Sequence, residues 1–242
     1  METKTVVLGR NPVLEYIRQS QTGTGHVLYV AEKAHGRIID SIVSEARGKK
    51  IPVEYRNRQF FAEHGPSSSH QGVMLVLPSP VPGDDRDILK SVAEKKGVLV
   101  LLDRITDPQN TGSIIRSTEA LGGDGVIIPK SNAAQVNETV IKASAGATAY
   151  LPVITISNVA GFLDRAKKAG FWVIGTSDRG DSDIGELRTT RPAILVIGSE
   201  GEGMRSLTSD KCDYTVKIPL RGRISSLNAS VAAGILLYEL LT

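Results

Sequence analysis

Val98-Leu-Val-Leu-Leu-Asp103-Arg-Ile-Thr-Asp107-Pro-Gln-Asn110-Thr-Gly-Ser-Ile-Ile-Arg116 is the stretch whose reading decides the fold. Five apolar residues in a row end at an aspartate, a proline turn follows, and a helical run begins. An unbroken apolar strand is what burial on both faces requires. The pattern repeats downstream, with strands at 125–128, 149–154, 171–174, 193–197 and 214–218. Helices are expected at 112–121, 137–143, 158–169 and 226–241. Strands alternating with helices in this way predict an α/β domain with a parallel sheet covered on both faces. Ligands of such sheets sit just outside the carboxyl ends of the strands. Two further polar, glycine-rich segments stand at such ends: Ile197-Gly-Ser-Glu200-Gly-Glu-Gly203 and Ile218-Pro-Leu-Arg-Gly-Arg-Ile-Ser-Ser226-Leu-Asn228-Ala-Ser.

Upstream, Leu77-Pro-Ser-Pro-Val-Pro-Gly-Asp-Asp85 has the composition of an exposed, semi-rigid linker. It divides the chain into a small domain, 1–77, a linker, 78–92, and a larger domain, 93–242. In the small domain a helix is expected at 11–19, with Asn11 as its cap and Pro12 at its first position. A strand at 26–30, a helix at 37–47 and strands at 51–55 and 72–77 complete a small α/β module.

The 242 residues have room for one large or two modest domains. A formal net charge of +3 neither favours nor excludes a nucleic-acid partner. A single cysteine, Cys212, excludes an internal disulfide and suits a reducing compartment. No signal peptide and no uncharged apolar run of about 18 residues is visible, so a cytoplasmic protein without a membrane partner is expected. All four histidines (His26, His35, His64, His70) precede the linker. The larger domain therefore lacks the residues of a Ser-His-Asp triad, a Cys-His pair or a His-ligated metal site. It also lacks the glycine-rich signatures of nucleotide hydrolysis and dinucleotide binding. Its chemistry falls to Asn, Ser, Glu, Arg and backbone groups.

Each of those residues has two readings. Asn110 is a helix N-cap or a site residue. Arg116, one turn into its helix, meets a phosphate or ribose edge, or makes a surface ion pair with Glu119. Glu200 accepts from a ligand hydroxyl, fixes a neighbouring loop, or is a solvated acid. Ser225 or Ser226 can cap the last helix, and Asn228, a mediocre helix former, is there for its side chain. That helix is apolar most of the way round, as a core or subunit-interface helix is.

Together the three segments resemble the three motifs of the SpoU family, also called TrmH-like RNA ribose methyltransferases. The first matches the family's Asp-Pro-x-Asn-x-Gly-x-x-x-Arg, the second its Gly-x-Glu-x-x-Gly after a strand. The third matches its Ile-Pro followed by Ser-Leu-Asn-x-Ser, on to Tyr238 and Glu239. Gly9-Arg-Asn-Pro-Val-Leu-Glu and His70-Gln-Gly72 resemble the beginning and end of the family's small RNA-binding extension. The resemblance implies a deep trefoil knot in the larger domain, S-adenosylmethionine as cofactor, and a homodimer through the C-terminal helix. It implies methyl transfer to the ribose 2′-hydroxyl of a guanosine in large-subunit ribosomal RNA, with no metal. Another ribosomal RNA site, a transfer RNA, or a non-catalytic role in ribosome assembly are the alternatives. By the same resemblance, Gly175, Thr176, Gly198, Ile218, Leu220, Ser226 and Leu227 hold the cofactor, and Asn110, Arg116, Glu200 and Asn228 line the reaction site. Arg221 and Arg223 depart from the usual small residues and add charge for RNA phosphate. Lys4, Arg10, Arg18, Arg37, Arg56 and Arg58 are the extension's cations for gripping RNA by this resemblance, or each is part of a solvated face.

Overall fold

In a computed structural model, residues 5–20, 25–63, 70–77, 85–178, 180, 182, 184–187, 190–223 and 226–242 are described. The chain divides into two units, Met1–Val81 with Val136–Tyr150, and Pro82–Gln135 with Leu151–Thr242.

The first unit runs β1 (Val6–Leu8), α1 (Arg10–Gln19), β2 (Val27–Ala31), α2 (Arg37–Gly48), β3 (Val53–Arg56), α3 (Arg58–Ala62) and β4 (Val73–Val76). Its sheet has the order β1-β4-β2-β3. β4 is antiparallel to both neighbours, and β2 is parallel to β3. Strand alternation sends Val7, Leu28, Val30, Val73 and Leu75 to one face, where they pack with Val13, Ile17, Ile39, Ile42 and Ala46 of α1 and α2. A smaller cluster of Leu8, Phe61 and Met74 forms on the other strand positions. The expected cap of α1 is corrected: the cap is Gly9, at φ 94, and Asn11 lies inside the helix. Glycine enters that backbone region without a Cβ penalty. β1 and α3 were not expected, because three and five residues are too short to show a period.

The second unit opens with α4 (Asp85–Glu94), in the second half of the expected linker; Ile88, Leu89 and Val92 anchor it in the core. Residues 78–84 of that linker lie outside the described residues, as do Lys4, His64 and Ser225. The chain continues through β5 (Val98–Asp103), α5 (Pro108–Ala120), β6 (Gly125–Pro129), α6 (Glu138–Ala143), β7 (Val153–Ile156), α7 (Val159–Lys168), β8 (Trp172–Thr176), β9 (Ala193–Gly198), α8 (Ser206–Ser209), β10 (Tyr214–Val216) and α9 (Ala229–Leu241). Six parallel strands form one sheet in the order β10-β8-β9-β5-β6-β7. β5 is buried at all six positions, as its apolar run predicts. On one face Leu99, Leu101, Ile194 and Val196 meet Phe162, Leu163 and Ala166 of α7. α5 and α9 pack together, with α9 also against β9.

Residues 136–150 stand inside the span expected for the larger domain, but they pack with the first unit. Ile141 of α6 enters the core of α1 and α2, and Tyr16 donates to Thr148 Oγ1 at 2.8 Å. The strand expected at 149–154 begins later, at Val153, behind a 3-10 turn at Ala147–Ala149.

The chain leaves β5 toward β6 and β7, then returns to the opposite side through β8 and β9. Strand order therefore reverses at the β5–β9 pair, whose last partners are Asp103 and Gly198. That reversal point is where an open α/β sheet leaves a crevice for ligands.

Candidate active site

The turn after β9 is built so that only glycine fits its first position. A Cβ on Gly198 would come within 2.5 Å of the backbone of Gly203 and Met204. Ser199 N donates to Gly203 O at 3.1 Å and Gly203 N donates back to Ser199 O at 3.0 Å, closing the turn. Gly201 and Gly203 take φ of 84° and 69° inside it. From below, Asp103 holds the turn. It is fully buried, accepts from Arg205 N at 2.8 Å and pairs with Arg205 Nε at 3.2 Å. Its neighbour Arg104 pairs with Glu202 at 2.6 Å. No role for Asp103 or Arg205 was read from the sequence, although a carboxylate ending a fully apolar strand is itself a signal, since buried charges need partners.

The tip of the turn is Glu200. Its Oε1 accepts from Asn110 Nδ2 at 3.1 Å, Asn228 Nδ2 at 2.8 Å and Ala229 N at 2.9 Å. Asn228 Nδ2 also donates to Asn110 Oδ1 at 2.8 Å. The three motifs therefore converge on one carboxylate at the start of α9, where the helix dipole favours negative charge. Two capping readings are corrected here. α5 starts at Pro108 and is capped by Asp107, whose carboxylate accepts from Gln109 N and Asn110 N. That leaves the Asn110 side chain to Glu200. α9 starts at Ala229 and is capped by Asn228, which accepts from Ser230 N at 3.0 Å, so Ser226 is not its cap. Glu200 fixes a neighbouring loop and is not a merely solvated acid.

Beside this network lies a cavity of about 700 Å³, bounded by the loops after β8, β9 and β10. Thr176, Gly198, Ile218, Leu220, Ser226 and Leu227 all line it. Gly198 N donates to Thr176 Oγ1 at 3.3 Å. Among the described residues, the backbone groups of Ile218, Leu220 and Leu227 make no hydrogen bond, so they are open to a ligand. Asp178, Glu200 and Glu202 against Lys217 give the walls an acidic balance, which the sequence reading did not include. Gly175 is not in the lining. It is buried one residue back, where a Cβ would meet Cys212 Sγ and Met204 Cε at 2.6 Å. Arg116 is exposed and makes no hydrogen bond or ion pair with a described residue; the alternative pairing with Glu119 is not formed.

The sequence model described as "SpoU rRNA Methylase family" matches residues 97–238, the whole of this site. The chain belongs to that family. A second model, "RNA 2'-O ribose methyltransferase substrate binding", matches residues 6–82 of this SpoU-family chain. A TrmH family tRNA/rRNA methyltransferase of Staphylococcus aureus (strain COL) is 40% identical over 242 residues, covering 97% of this chain and 94% of its own. One of Bacillus subtilis (strain 168) is 36% identical over 235 residues, covering 96% and 93%. Among solved structures, the SpoU methyltransferase AviRb from Streptomyces viridochromogenes, in complex with the cofactor AdoMet, has a TM-score of 0.83. It is 29% identical, covering 98% of this chain and 89% of its own.

One group beside the SpoU-family cavity is chemically quiet. Burial pushes the Cys212 thiol up to about 11, which keeps it protonated and a poor nucleophile at neutral pH. Among the described residues, no group of three His, Cys, Asp or Glu is arranged to hold a metal ion. No helix among them is long and apolar enough to cross a membrane.

Proposed function

We propose that this protein transfers a methyl group from S-adenosylmethionine to the ribose 2′-hydroxyl of a guanosine in large-subunit ribosomal RNA. The observation that carries this reading is the convergence of Asn110, Glu200 and Asn228 at the edge of a cavity with unpaired backbone groups. The cavity suits the cofactor: its open backbone groups are of the kind that can donate to and accept from an adenine edge, and its acidic balance suits a sulfonium cation. Gly198, Ile218, Leu220 and Leu227 would hold the cofactor, with Thr176 and Ser226 beside them.

Bound there, the cofactor supplies a methyl group already activated for displacement. Transfer of that methyl to a ribose hydroxyl would require the oxygen to be held in line with the cofactor and its proton to be given up. The residues of this chain supply that alignment. Arg116 stays protonated in water and is no free base. As an unpaired cation it orients the hydroxyl and stabilises the developing alkoxide, with an RNA phosphate as proton acceptor. Asn110 and Asn228 keep the carboxylate of Glu200, and with it the turn, in place.

The same reading includes the knot and the dimer. β10 lies at the sheet edge, whereas α9 packs on α5 and β9. A connection threaded back past the loops after β8 and β9, as in a trefoil knot, would join the two, and this arrangement supports the reading. Val231, Ile235 and Tyr238 of α9 are exposed at 50%, 39% and 55%, with spacings of four and three residues that form one face. A second copy of the chain covers that apolar face. Arg221 and Arg223, exposed beside the cavity, meet RNA phosphate.

The test is tritiated methyl transfer from S-adenosylmethionine to unmodified large-subunit RNA, with the labelled nucleotide mapped. Label on a guanosine ribose is the expected result. Label on transfer RNA alone would replace the substrate, and cofactor binding without label on any RNA would sink the catalytic reading.

A further inference from the structure

The two sequence motifs of the first unit, Gly9-Arg-Asn-Pro and His70-Gln-Gly72, meet at the mouth of a second cavity, of about 1290 Å³. Arg10 N donates to Gln71 Oε1 at 3.1 Å, and Arg10 Nε donates to Gln71 O at 3.1 Å. This clamp uses the Gln71 oxygen and leaves its NH₂ group, and the two terminal nitrogens of Arg10, without a partner among the described residues. Gly72 N donates to His70 Nδ1 at 2.9 Å, and the His70 ring lies 4.9 Å from that of Phe61. Phe61, Ala34 and Ala62 make part of the wall apolar.

Among the described residues, three cations line this cavity: Arg10, Lys33 and Arg58. None makes an ion pair with a described residue. Two other cations of the unit, Arg18 and Arg56, are spent within it. Arg18 pairs with Glu15 and Glu45 at 3.4 and 3.5 Å. Arg56 pairs with Glu54 and lies over the rings of Tyr29 and Phe60, 5.5 and 5.6 Å from their centroids. Of the described lining residues only Glu32 is acidic, and its carboxylate has no partner among the described residues.

We propose that this cavity seats an unpaired nucleotide of the RNA substrate. Flanking phosphates meet Arg10, Lys33 and Arg58, and the base enters beside the apolar wall. Gln71 and Glu32 present a donor and an acceptor to its edge, the complement a base edge requires. A double helix would meet a cationic surface through its backbone and has no use for a concave, partly apolar site. Single-stranded RNA combines phosphate contacts with burial of its bases. This inference rests on the reading of the chain as an RNA-modifying enzyme but is tested by binding alone.

The experiment uses the full chain and transcribed, unmodified large-subunit RNA, with filter binding measured across salt concentrations. Lys33→Ala/Arg58→Ala removes two exposed, unpaired cations. The expected result is affinity weakened about tenfold or more, and a salt slope reduced by about 2, one for each cation lost. Affinity for S-adenosylmethionine stays unchanged. Arg47→Ala/Lys50→Ala, at the other end of α2, is the charge-matched control and should keep most of the affinity. An equal loss in the control, or no loss in the first variant, would overturn the proposal. An RNA hairpin with a single-stranded loop should compete better than a duplex of the same stem; equal competition would also overturn it. So would tight binding of guanosine monophosphate combined with unchanged RNA affinity in the variant, because the site would then serve a free nucleotide. If the wild-type protein binds RNA at this cavity but methylates none, the catalytic reading fails and this inference stands.

Discussion

At the residue scale, the site depends on a few side chains whose partners are now assigned. Glu200 Oε1 receives three donors, two from asparagine side chains and one from the first amide of α9. Hydrogen bonds to a charged acceptor contribute about 1.5–3 kcal/mol each at most, and less where water reaches them. Glu200→Ala and Asn110→Ala should therefore each slow methyl transfer. Their effects on kcat/KM should also couple by about 1 kcal/mol in a double-mutant cycle; strictly additive effects would mean the two do not act together. The Arg116 side chain makes no bond to a described residue, so Arg116→Ala should leave the melting temperature unchanged. It should cost about 3 kcal/mol of transition-state stabilisation, roughly a hundredfold in kcat, with cofactor affinity intact. Near wild-type turnover would remove Arg116 from the mechanism. Cys212 behaves oppositely to a reactive thiol. Burial raises its pKa in the folded state to about 11, so folding favours the protonated form. Its contribution is complete below the unfolded thiol's pKa of about 8.5 and is lost as pH rises toward 11. Iodoacetamide should label it slowly at pH 8 until denaturant is added, and Cys212→Ser should flatten the alkaline fall in stability.

At the element scale, the turn after β9 and the helix α9 decide what the sheet can do. The turn folds back so tightly that its own backbone occupies the space a Cβ at position 198 would need. Gly198→Ala must therefore push the 203–204 backbone away. About 1–3 kcal/mol of stability should be lost, as in other overpacked sites, together with most cofactor affinity by calorimetry. Unchanged affinity would show that the cavity does not depend on that turn. α9 has a different problem. Ala233, Leu236, Leu237 and Leu240 are buried in its own unit, yet Val231, Ile235 and Tyr238 remain exposed. Tyr238→Glu should turn a dimer into a monomer in sedimentation at micromolar concentration. A wild-type protein that is already monomeric would rule out this interface.

At the scale of the whole molecule, two units divide the work, one shaped for a cofactor-sized cavity and one for a cationic one. Much of this was legible in the residues. β5 and β9 follow from unbroken apolar runs, because burial on both faces leaves no room for alternation. The three motifs named Asn110, Glu200 and Asn228 together, and the structure joins those three through hydrogen bonds. Their roles as caps were less legible. A sequence shows which residues can cap, but one residue of shift in a helix start decides which one does, and that shift is set by packing. Hence Asp107 replaced Asn110, and Asn228 replaced Ser226. Short elements such as β1 and α3 were not legible because five residues or fewer carry no period. The chemistry of each local segment, its apolar runs, its turns and its unusual polar residues, was written in the order of amino acids, since those preferences act between near neighbours. Which strands lie side by side, which unit residues 136–150 join, and that Asp103 reaches Arg205 across 102 positions were decided only by tertiary structure. Burial of a charge or an apolar face is a property of the surroundings that the folded chain assembles from distant parts.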